Sequence, residues 1–413
     1  MPDGPLLRRI KTHIVGPEHR FAITAPPELL RTCMDETRLL DVPGPVMNDA
    51  GLEFSGRLKD AYTCNLWLRT ASRVLCRLAP FRAGVAEELF FKASRIPWEL
   101  WLNPDIPVDL EAQVQYSRIS HEGRVEETVL ASIEKRLRGK VPAHSQGSPV
   151  MVGKLRARDT EETGSPRSDE AELKQKILVR LVENHCQISL DMSGPHLHQR
   201  GYRLRHMGAP LRESLAAAIL LKSDWKFDEP LVDGMCGSGT FPIEAALMSR
   251  RIAPGIGRDF LFGRWPSFLK ETWEYLRHKA KEASLPEAPE KIVGIDIDPE
   301  AVEVSAENAD RAGVGKDIRW ERIDFFDFTP RSRGLKKGLI VLNPPYGVRL
   351  GAGGVSLYEK IGAHLRLNFK DWKYAVLARS RLEAAAMGTG RVRLWHIGHG
   401  GMNVTVVLGR IAS

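Results

Sequence analysis

Long apolar runs and paired cysteines are both missing from this sequence. No apolar run approaches the ~18 residues of a membrane-spanning helix, and residues 1–20 carry charges without the apolar centre of a signal peptide. Only 5 of the 413 residues are cysteine, an odd number without a Cys-x-x-Cys pair. We therefore expect no membrane span, disulfide framework or zinc site, and we predict reduced thiols in a cytoplasm.

What is present is the composition of a folded, basic protein. The hydrophobic fraction is 43% and the formal net charge is +8. A basic chain suits a polyanionic partner such as nucleic acid, although charge alone does not establish one. The length predicts two or three domains.

The most informative stretch is Asn343-Pro344-Pro345-Tyr346, which follows the apolar run 338–342. Two consecutive prolines cannot continue the hydrogen-bond ladder of a strand, so the strand stops and presents Asn343 at its end. The side-chain carbonyl of Asn343 and the backbone carbonyl of Pro344 can both accept hydrogen bonds from an exocyclic amine, while Tyr346 stacks on the ring. An ordinary Pro-Pro turn after a core strand is the alternative.

A glycine-rich turn lies upstream, between a short apolar strand and a helix that begins at Thr240. Such a turn lets a ligand approach the backbone and the amides of the helix N-terminus, although many glycine turns are only tight loops. It is not a phosphate-binding P-loop, because no Gly-Lys-Ser/Thr follows. The candidate ligand-binding residues here are Asp233, Met235, Cys236, Gly237, Ser238, Gly239 and Thr240.

The β-rich run 292–298 ends in two aspartates. In doubly wound nucleotide-binding folds a carboxylate at this strand end accepts ribose hydroxyls, so Asp296 is the candidate, with Ile297 beside it. Asp298 is predicted to cap the helix that opens with Pro299. The interval from the glycine turn is far longer than the ~20 residues of a dinucleotide fingerprint, so a segment is inserted between 252 and 290.

A third acidic strand end follows at Asp324-Phe325, after the strand 318–323. Asp324 can hydrogen-bond an adenine amino group while Phe325 covers the ring. A solvated aspartate beside a core phenylalanine explains the same two residues equally well. The local sequence does not decide between these interpretations.

The three motifs at 233–240, 294–299 and 343–347, in this order, resemble those of class I S-adenosylmethionine-dependent methyltransferases that modify an exocyclic amine. The flanking stretches 189–194, 198–203 and 209–218 are similar to THUMP-containing RNA guanine-N2 methyltransferases, in particular the bacterial branch that acts on large-subunit ribosomal RNA. Two positions depart from the pattern. Gly234 stands where relatives usually carry proline, which should loosen the loop slightly, and Val348 stands where many carry glutamate.

The resemblance implies an α/β fold with a C-terminal Rossmann-like methyltransferase domain, finished by an antiparallel hairpin at the sheet edge. It implies S-adenosylmethionine as cofactor and ribosomal RNA as partner. The catalytic residues would be Asn343, Pro344, Pro345 and Tyr346. Transfer RNA guanine, adenine N6 in DNA, and a non-enzymatic RNA-binding role stay open as alternatives.

The implied domains are a ferredoxin-like module over 1–70, a THUMP RNA-binding domain over 71–194 and the methyltransferase domain over 195–413. Within the first third we expect strands at 21–24 and 52–54 and helices at 27–37 and 62–78. Alternating apolar residues predict a hairpin over 177–190, after a charged loop at 155–174. A second hairpin is predicted from 392–397 and 404–408.

Two other groups of residues have competing interpretations. The histidines at 196, 198 and 206 do not match a tetrahedral metal pattern, so structural or RNA-facing roles are favoured. Aromatic residues of the inserted segment alternate with arginines and could stack on RNA bases, although covering one face of the catalytic sheet is the favoured role. These aromatic residues are Phe260, Phe262, Trp265 and Phe268.

Overall fold

The computed structural model describes residues 4–48, 51–138, 174–205, 211–345, 354–399 and 402–412. The chain divides into two units, each made of separate segments. The first contains Met1–Ala25, Met34–Leu197 and Asp259–Leu276. The second contains Pro26–Cys33, His198–Arg258 and Arg277–Ser413. Each unit therefore includes a short segment from the part of the chain that mainly builds the other.

The first unit begins with a β-α-β-β-α-β succession that forms four neighbouring strands in the order β2-β3-β1-β4. This is the ferredoxin-like connection order, and β1 pairs antiparallel with both β3 and β4. The elements are α1 (Gly4–Ile10), β1 (His19–Thr24), α2 (Leu30–Leu39), β2 (Val46–Asn48), β3 (Gly51–Gly56), α3 (Leu58–Trp67) and β4 (Arg73–Arg77).

The predicted helix over 62–78 is wrong beyond residue 67. Helix α3 ends at Trp67, and the backbone amides of Arg69 and Thr70 donate to the carboxylate of Glu36 at 2.9 and 3.0 Å. The chain then forms β4, which pairs with β1 on one side. Arginines spaced four apart at 69, 73 and 77 imitate a helix, but strand pairing determines the structure here.

The same sheet continues with strands β8, β7 and β6, while β5 pairs with β8 off the main path. The predicted hairpin over 177–190 is confirmed: Glu183 and Asn184 have φ angles of 49° and 62°, as a two-residue type I′ turn requires. The predicted loop at 155–174 lies almost wholly outside the described residues. The elements are β5 (Phe81–Arg82), α4 (Ala86–Ser94), β6 (Val108–Gln115), α5 (Glu122–Arg138), β7 (Gln175–Val182) and β8 (His185–Asp191).

The aromatic residues of the inserted segment pack in the first unit, so their predicted place on the catalytic sheet is wrong. The ring of Phe262 stacks on Tyr62 with centroids 4.2 Å apart, and Trp265 meets the edge of Trp101 at 5.5 Å. Phe262 is 1% exposed, which also excludes it from stacking on RNA bases. The rings of Tyr62 on α3 and of Trp101 give these aromatic residues stacked and edge-to-face partners within the first unit.

The second unit is a seven-stranded sheet in the order β11-β10-β9-β12-β13-β15-β14. The first five strands run parallel, and β15 is antiparallel to both β13 and β14. This confirms the Rossmann-like class I methyltransferase fold with its antiparallel edge hairpin. The elements are α6 (Glu213–Lys222), β9 (Leu231–Asp233), α7 (Thr240–Ser249), β10 (Ile292–Asp296), α9 (Pro299–Arg311), β11 (Ile318–Arg322), β12 (Leu339–Leu342), α10 (Gly354–Asn368), β13 (Lys373–Ala378), α11 (Arg381–Ala386), β14 (Val392–His399) and β15 (Met402–Arg410). Helix α8 (Lys270–Glu282) is divided between the units, with its residues up to Leu276 in the first.

Strand order determines where a ligand binds in this unit. Strand β9 lies at the centre with β10 on one side and β12 on the other, which is the topological switch point of a doubly wound sheet. The central strands β9 and β12 are buried along their whole length. Their carboxyl ends carry the glycine turn and Asn343. Among the described residues no helix is long and apolar enough to cross a membrane.

Candidate active site at the carboxyl ends of the strands

The glycine turn after β9 takes backbone conformations that only glycine adopts easily. Gly237 and Gly239 have φ angles of 55° and 80°, in the left-handed region. A Cβ atom added at Gly237 would meet nothing within 4 Å. The turn is therefore open at Gly237, whereas an added Cβ atom at Gly239 would lie 3.0 Å from Ser305 and Trp320.

Hydrogen bonds tie this turn to the end of β10. The amide of Cys236 donates to the carbonyl of Ile295 at 3.0 Å, and the amide of Gly237 donates to Asp296 Oδ2 at 2.9 Å. The other carboxylate oxygen of Asp296 accepts from the amide of Asp298 at 3.0 Å. Because each carboxylate oxygen has two acceptor sites, Asp296 keeps the capacity to accept hydroxyl groups.

Ile297 and Asp298, the two residues after Asp296, have different environments. Ile297 is 66% exposed and gives an apolar surface beside the carboxylate. Asp298 accepts from the amide of Glu300 at 3.0 Å and begins α9 ahead of Pro299. The predicted capping role of Asp298 is confirmed.

Asp233 is the buried acid of the site. Its Oδ1 accepts from the amide of Met235 at 3.2 Å, and the residue is 1% exposed. Burial raises the pKa of Asp233 well above its ordinary value, and the nearby charge of Asp296 raises it further. The raised pKa favours the neutral form of Asp233 in the unliganded protein, and a cation bound nearby would favour its ionised form.

Three side chains of the turn make contacts inside the protein. Cys236 Sγ lies 3.8 Å from Ser305 Oγ, and burial raises the pKa of the Cys236 thiol well above its ordinary value. The Thr240 hydroxyl accepts from Arg203 Nη2 at 2.7 Å. Ser238 is 6% exposed. The side chains of these three residues are therefore buried against the protein.

Helix α9 supplies two supports that the sequence analysis missed. Ser305 Oγ donates to the carbonyl of Gly237 at 2.9 Å, and Asn308 Nδ2 donates to the carbonyl of Ser238 at 3.2 Å. Both lie on the buried face of the helix. Two polar residues three apart on an otherwise apolar face were the available signal.

The side chains of Asp324 and Phe325 have different environments. Asp324 is half-buried and accepts from the amide of Phe326 at 2.9 Å. Phe325 is 3% exposed and belongs to the core, where its ring meets His364 at 4.7 Å. This burial favours the core interpretation of Phe325 over a role in covering a ligand ring.

Asn343 follows β12 at the carboxyl edge of the sheet. It is half-buried, Pro344 is buried and Pro345 is exposed. The amide of Gly234 donates to the carbonyl of Val341 at 3.1 Å, so the glycine turn and the Asn-Pro-Pro segment leave the sheet side by side. Tyr346 and Val348 lie outside the described residues.

These features fit S-adenosylmethionine. In such a site Asp296 would supply acceptors for the ribose and Ile297 an apolar surface for the adenine. The open space over Gly237 leaves room for the ligand beside the turn.

Comparison with known families agrees with this geometry. A family model described as the RMKL-like methyltransferase domain matches residues 200–406, just over half of the 413 residues. The chain belongs to this methyltransferase family. A second model, described as the RlmL ferredoxin-like domain, matches residues 20–75 and confirms the ferredoxin-like module.

Two curated relatives illustrate the family. Ribosomal RNA large subunit methyltransferase K/L of Syntrophotalea carbinolica is 34% identical over 394 residues, which is 93% of this chain and 52% of that protein. The Bacillus subtilis protein YpsC is 36% identical over 350 residues, 84% of each chain. The chain therefore spans about half the length of the K/L relative and most of YpsC.

Two solved structures are similar to this chain over most of its length. SMU.472, crystallised with SAH, has a TM-score of 0.78 at 27% identity, covering 96% of this chain and 99% of its own. A Listeria monocytogenes protein described as a predicted N6-adenine-specific DNA methylase has a TM-score of 0.79 at 28% identity, covering 97% of both chains. The similarity extends over both units.

Proposed function

We propose that this protein transfers a methyl group from S-adenosylmethionine to the exocyclic N2 amine of a guanine in large-subunit ribosomal RNA. The observation that supports this most is the hydrogen bond of 3.1 Å between the Gly234 amide and the Val341 carbonyl. It brings the two motifs together at the edge of the sheet. A cofactor bound along the glycine turn is then adjacent to a base held at Asn343.

The methyl donor of this family is S-adenosylmethionine, which supplies a methyl group on a positively charged sulfur that is a good leaving group. Asp296 binds the ribose, Ile297 lies against the adenine, and the backbone of the turn from Asp233 to Thr240 holds the amino-acid end. Asp324 remains a candidate for the adenine amino group. No strong base adjoins Asn343 among these residues, and none is needed, because the amine becomes acidic once it is methylated.

The nucleobase is handled by the segment after β12. A guanine must leave its stack to reach a buried methyl group, at a cost of roughly a few kcal/mol. The side-chain carbonyl of Asn343 and the backbone carbonyl of Pro344 accept from the amine and direct the nitrogen lone pair at the methyl carbon. Pro345 stiffens this arrangement, and Tyr346 is proposed to hold the base flat. Most of the rate then comes from alignment.

The test combines a deletion strain with one substitution. Mass spectrometry of nucleosides from ribosomal RNA should show loss of N2-methylguanosine, restored by the wild-type gene but not by Asn343→Ala. The purified variant should keep its calorimetric affinity for S-adenosylmethionine while turnover falls about 100-fold or more, as for loss of a positioning contact. Wild-type turnover in Asn343→Ala would remove the proposed role.

One alternative has a specific observation behind it. The Listeria monocytogenes structure carries the description of an N6-adenine DNA methylase, and adenine offers the same kind of amine to an Asn-Pro-Pro segment. The same mass spectrometry, applied to DNA and to transfer RNA, separates the substrates. Loss of methyladenine from DNA with unchanged ribosomal RNA would reverse the assignment. Failure to bind S-adenosylmethionine would favour a non-enzymatic role.

We also propose that residues 71–194 form a THUMP domain between a module at 1–70 and the methyltransferase domain at 195–413, and that the protein acts in the cytoplasm. The strands and helices from β5 to β8 form a unit of mixed strands and helices in this part of the chain, as the family resemblance implies for a THUMP domain. Filter binding of ribosomal RNA by the full chain, with and without substitutions in 71–194, tests it.

A further inference from the structure

A second group of side chains follows β13, the strand beside β12 on the side away from the glycine turn. Strand β13 is the parallel neighbour of β12, with Val376 opposite Leu342. Arg379 is three residues past Val376, whereas Asn343 is one residue past Leu342. Arg379 therefore follows the end of the next strand, one residue beyond Ala378, as Asn343 follows the end of β12.

Arg379 is held in place by a buried acid. Its Nε and Nη2 donate to Glu383 Oε1 at 3.3 and 2.9 Å, and its backbone amide donates to Glu383 Oε2 at 2.7 Å. The Glu383 side chain is 6% exposed, while that of Arg379 is 44% exposed. The Nη1 group makes no hydrogen bond to another described residue. One edge of the guanidinium is thus fixed inside the protein.

Exposed basic and apolar residues surround this arginine. Arg381 is exposed two residues further on. Leu382 is 74% exposed and Val355, in the first turn of α10, is 44% exposed. A Cβ atom added at Gly354 would lie 3.0 Å from Glu383 Oε1, so the first turn of α10 touches the ion pair. We refer to Val355, Arg379, Arg381 and Leu382 as the β13 rim.

The rim lies on the side where a nucleic-acid backbone would pass. The candidate cofactor residues follow β9, β10 and β11, all on the same side of β12. A base that reaches Asn343 must therefore keep its sugar and phosphate away from that side, over the end of β13. Resting on the proposed function, we infer that Arg379 binds a backbone phosphate at the target nucleotide, and that Leu382 packs against the neighbouring ribose or base.

The chemistry suits a phosphodiester. A guanidinium presents planar N–H groups that bind phosphate with directed hydrogen bonds, and the Glu383 contact limits the side-chain freedom that would be lost on binding. Arg381 adds positive charge next to this contact, and the exposed apolar surface of Leu382 suits a sugar face. The rim is complementary in charge to RNA and adjoins the base position, and this supports a substrate-backbone subsite.

The experiment compares Arg379→Gln with Arg410→Gln. Arg410 is an exposed arginine of β15 that pairs with Lys373 at the start of β13, so it lies at the opposite edge of the same sheet. Both changes remove one charge. The probe is an unmodified transcript of the large-subunit ribosomal RNA, and the measurements are its Kd at several salt concentrations, the KM for this RNA, kcat, and the Kd for S-adenosylmethionine.

We expect Arg379→Gln to raise the RNA Kd and KM about 5- to 10-fold and to reduce the slope of log K against log salt by about 0.7, the value for one contact to single-stranded phosphate. The value of kcat at saturating RNA and the Kd for S-adenosylmethionine should stay within about 2-fold, because neither the cofactor nor the amine contacts this residue. Arg410→Gln should match the wild type. Equal RNA Kd, KM and salt slope in the two variants would overturn the inference.

A second variant tests the same contact in case Arg379→Gln does not fold. Arg379→Lys keeps a cation beside the buried Glu383 but loses the planar set of guanidinium N–H donors. It should raise the KM for RNA about 3-fold while retaining the wild-type slope of log K against log salt. If RNA affinity depends on Arg379 but the wild-type protein does not methylate this RNA, the proposed function is refuted and the subsite is supported. Methylation that is unaffected by Arg379 would do the reverse, and a wild type that neither binds nor methylates the RNA would refute both.

Discussion

Asp296 Oδ2 accepts a hydrogen bond from the backbone amide of Gly237 at 2.9 Å, which joins the end of β10 to the turn after β9. The same carboxylate receives the amide of Asp298 on its other oxygen. Two backbone donors therefore fix the orientation of one side chain at the edge where two motifs, 59 residues apart, meet. A ligand that bridges the two strands finds its acceptor already positioned.

Asp296→Asn should weaken binding of S-adenosylmethionine about 10- to 100-fold, because hydrogen bonds to a charged acceptor contribute about 1.5–3 kcal/mol. Isothermal titration calorimetry measures this directly. Asp298→Asn is the matched control, since Asp298 caps α9 and faces the following amide. We expect it to change stability by less than about 1 kcal/mol and cofactor affinity by less than about 2-fold. Equal losses of affinity in both variants would contradict the assignment of Asp296.

The raised pKa of Asp233 predicts an affinity for S-adenosylmethionine that increases with pH. Burial keeps the Asp233 carboxyl protonated above its ordinary range, and a sulfonium favours the ionised form. The affinity should therefore rise as pH increases through this raised pKa, by up to about tenfold per unit. Calorimetry of the wild type and of Asp233→Asn across pH 5.5–8.5, under conditions in which both proteins stay folded, measures the slope of affinity against pH.

The unliganded protein should show the opposite trend. A carboxyl whose folded-state pKa is raised stabilises the fold below its unfolded value, and this contribution is lost as pH rises through the folded value. Asp233→Asn should remove both slopes while keeping the acceptor for the Met235 amide. Parallel pH profiles in the wild type and this variant would argue that Asp233 does not titrate on binding.

Gly234 has no space for a side chain. A Cβ atom there would lie 2.4 Å from Leu342 Cδ2 and 2.7 Å from Phe325 Cδ2. Gly234→Ala should therefore lower the free energy of unfolding by about 1–3 kcal/mol, the usual cost of overpacking. Gly257→Ala, with nothing within 4 Å of the added atom, should be close to neutral. Urea denaturation of the two variants tests this difference.

Local signals explain what could be predicted from sequence. The turn at 233–240, the cap at Asp298 and the strand end at Asn343 each depend on glycine, aspartate or proline within a few residues of the feature. Those residue types restrict the backbone directly. The order of the parallel strands follows because short connections and crossover helices permit few arrangements.

Long-range packing explains what could not be predicted. Phe325 is a core residue because His364, 39 residues later, brings its ring to 4.7 Å. The helix over 62–78 ends early because the carboxylate of Glu36, more than 30 residues before, binds the amides of Arg69 and Thr70. Nothing within one turn of these positions signals either partner. Side-chain burial at a strand end is therefore decided by elements that the local pattern does not contain.

His364 makes the stability of this core depend on pH. Its Nε2 lies 3.0 Å from the Phe328 carbonyl, and burial lowers the pKa of the imidazole below its ordinary value. A histidine that is neutral in the folded state stabilises the fold above its unfolded pKa of ~6.5, and this contribution is lost as pH falls toward the folded value. The protein should therefore lose stability below pH ~6.5 in part through this residue.

His364→Gln should be less stable than the wild type at neutral pH, because the aromatic contacts with Phe325 are lost, but its Tm should fall less between pH 7.5 and 5.5. Glutamine keeps an Nε2 donor for the Phe328 carbonyl and cannot be protonated in this range. His278→Gln, an exposed position on α8 with a side chain 73% exposed, serves as control and should follow the wild-type pH profile. Because carboxyl groups elsewhere titrate equally in all three proteins, only the difference between profiles reports on His364. A wild-type slope retained in His364→Gln would assign the acid sensitivity to other groups.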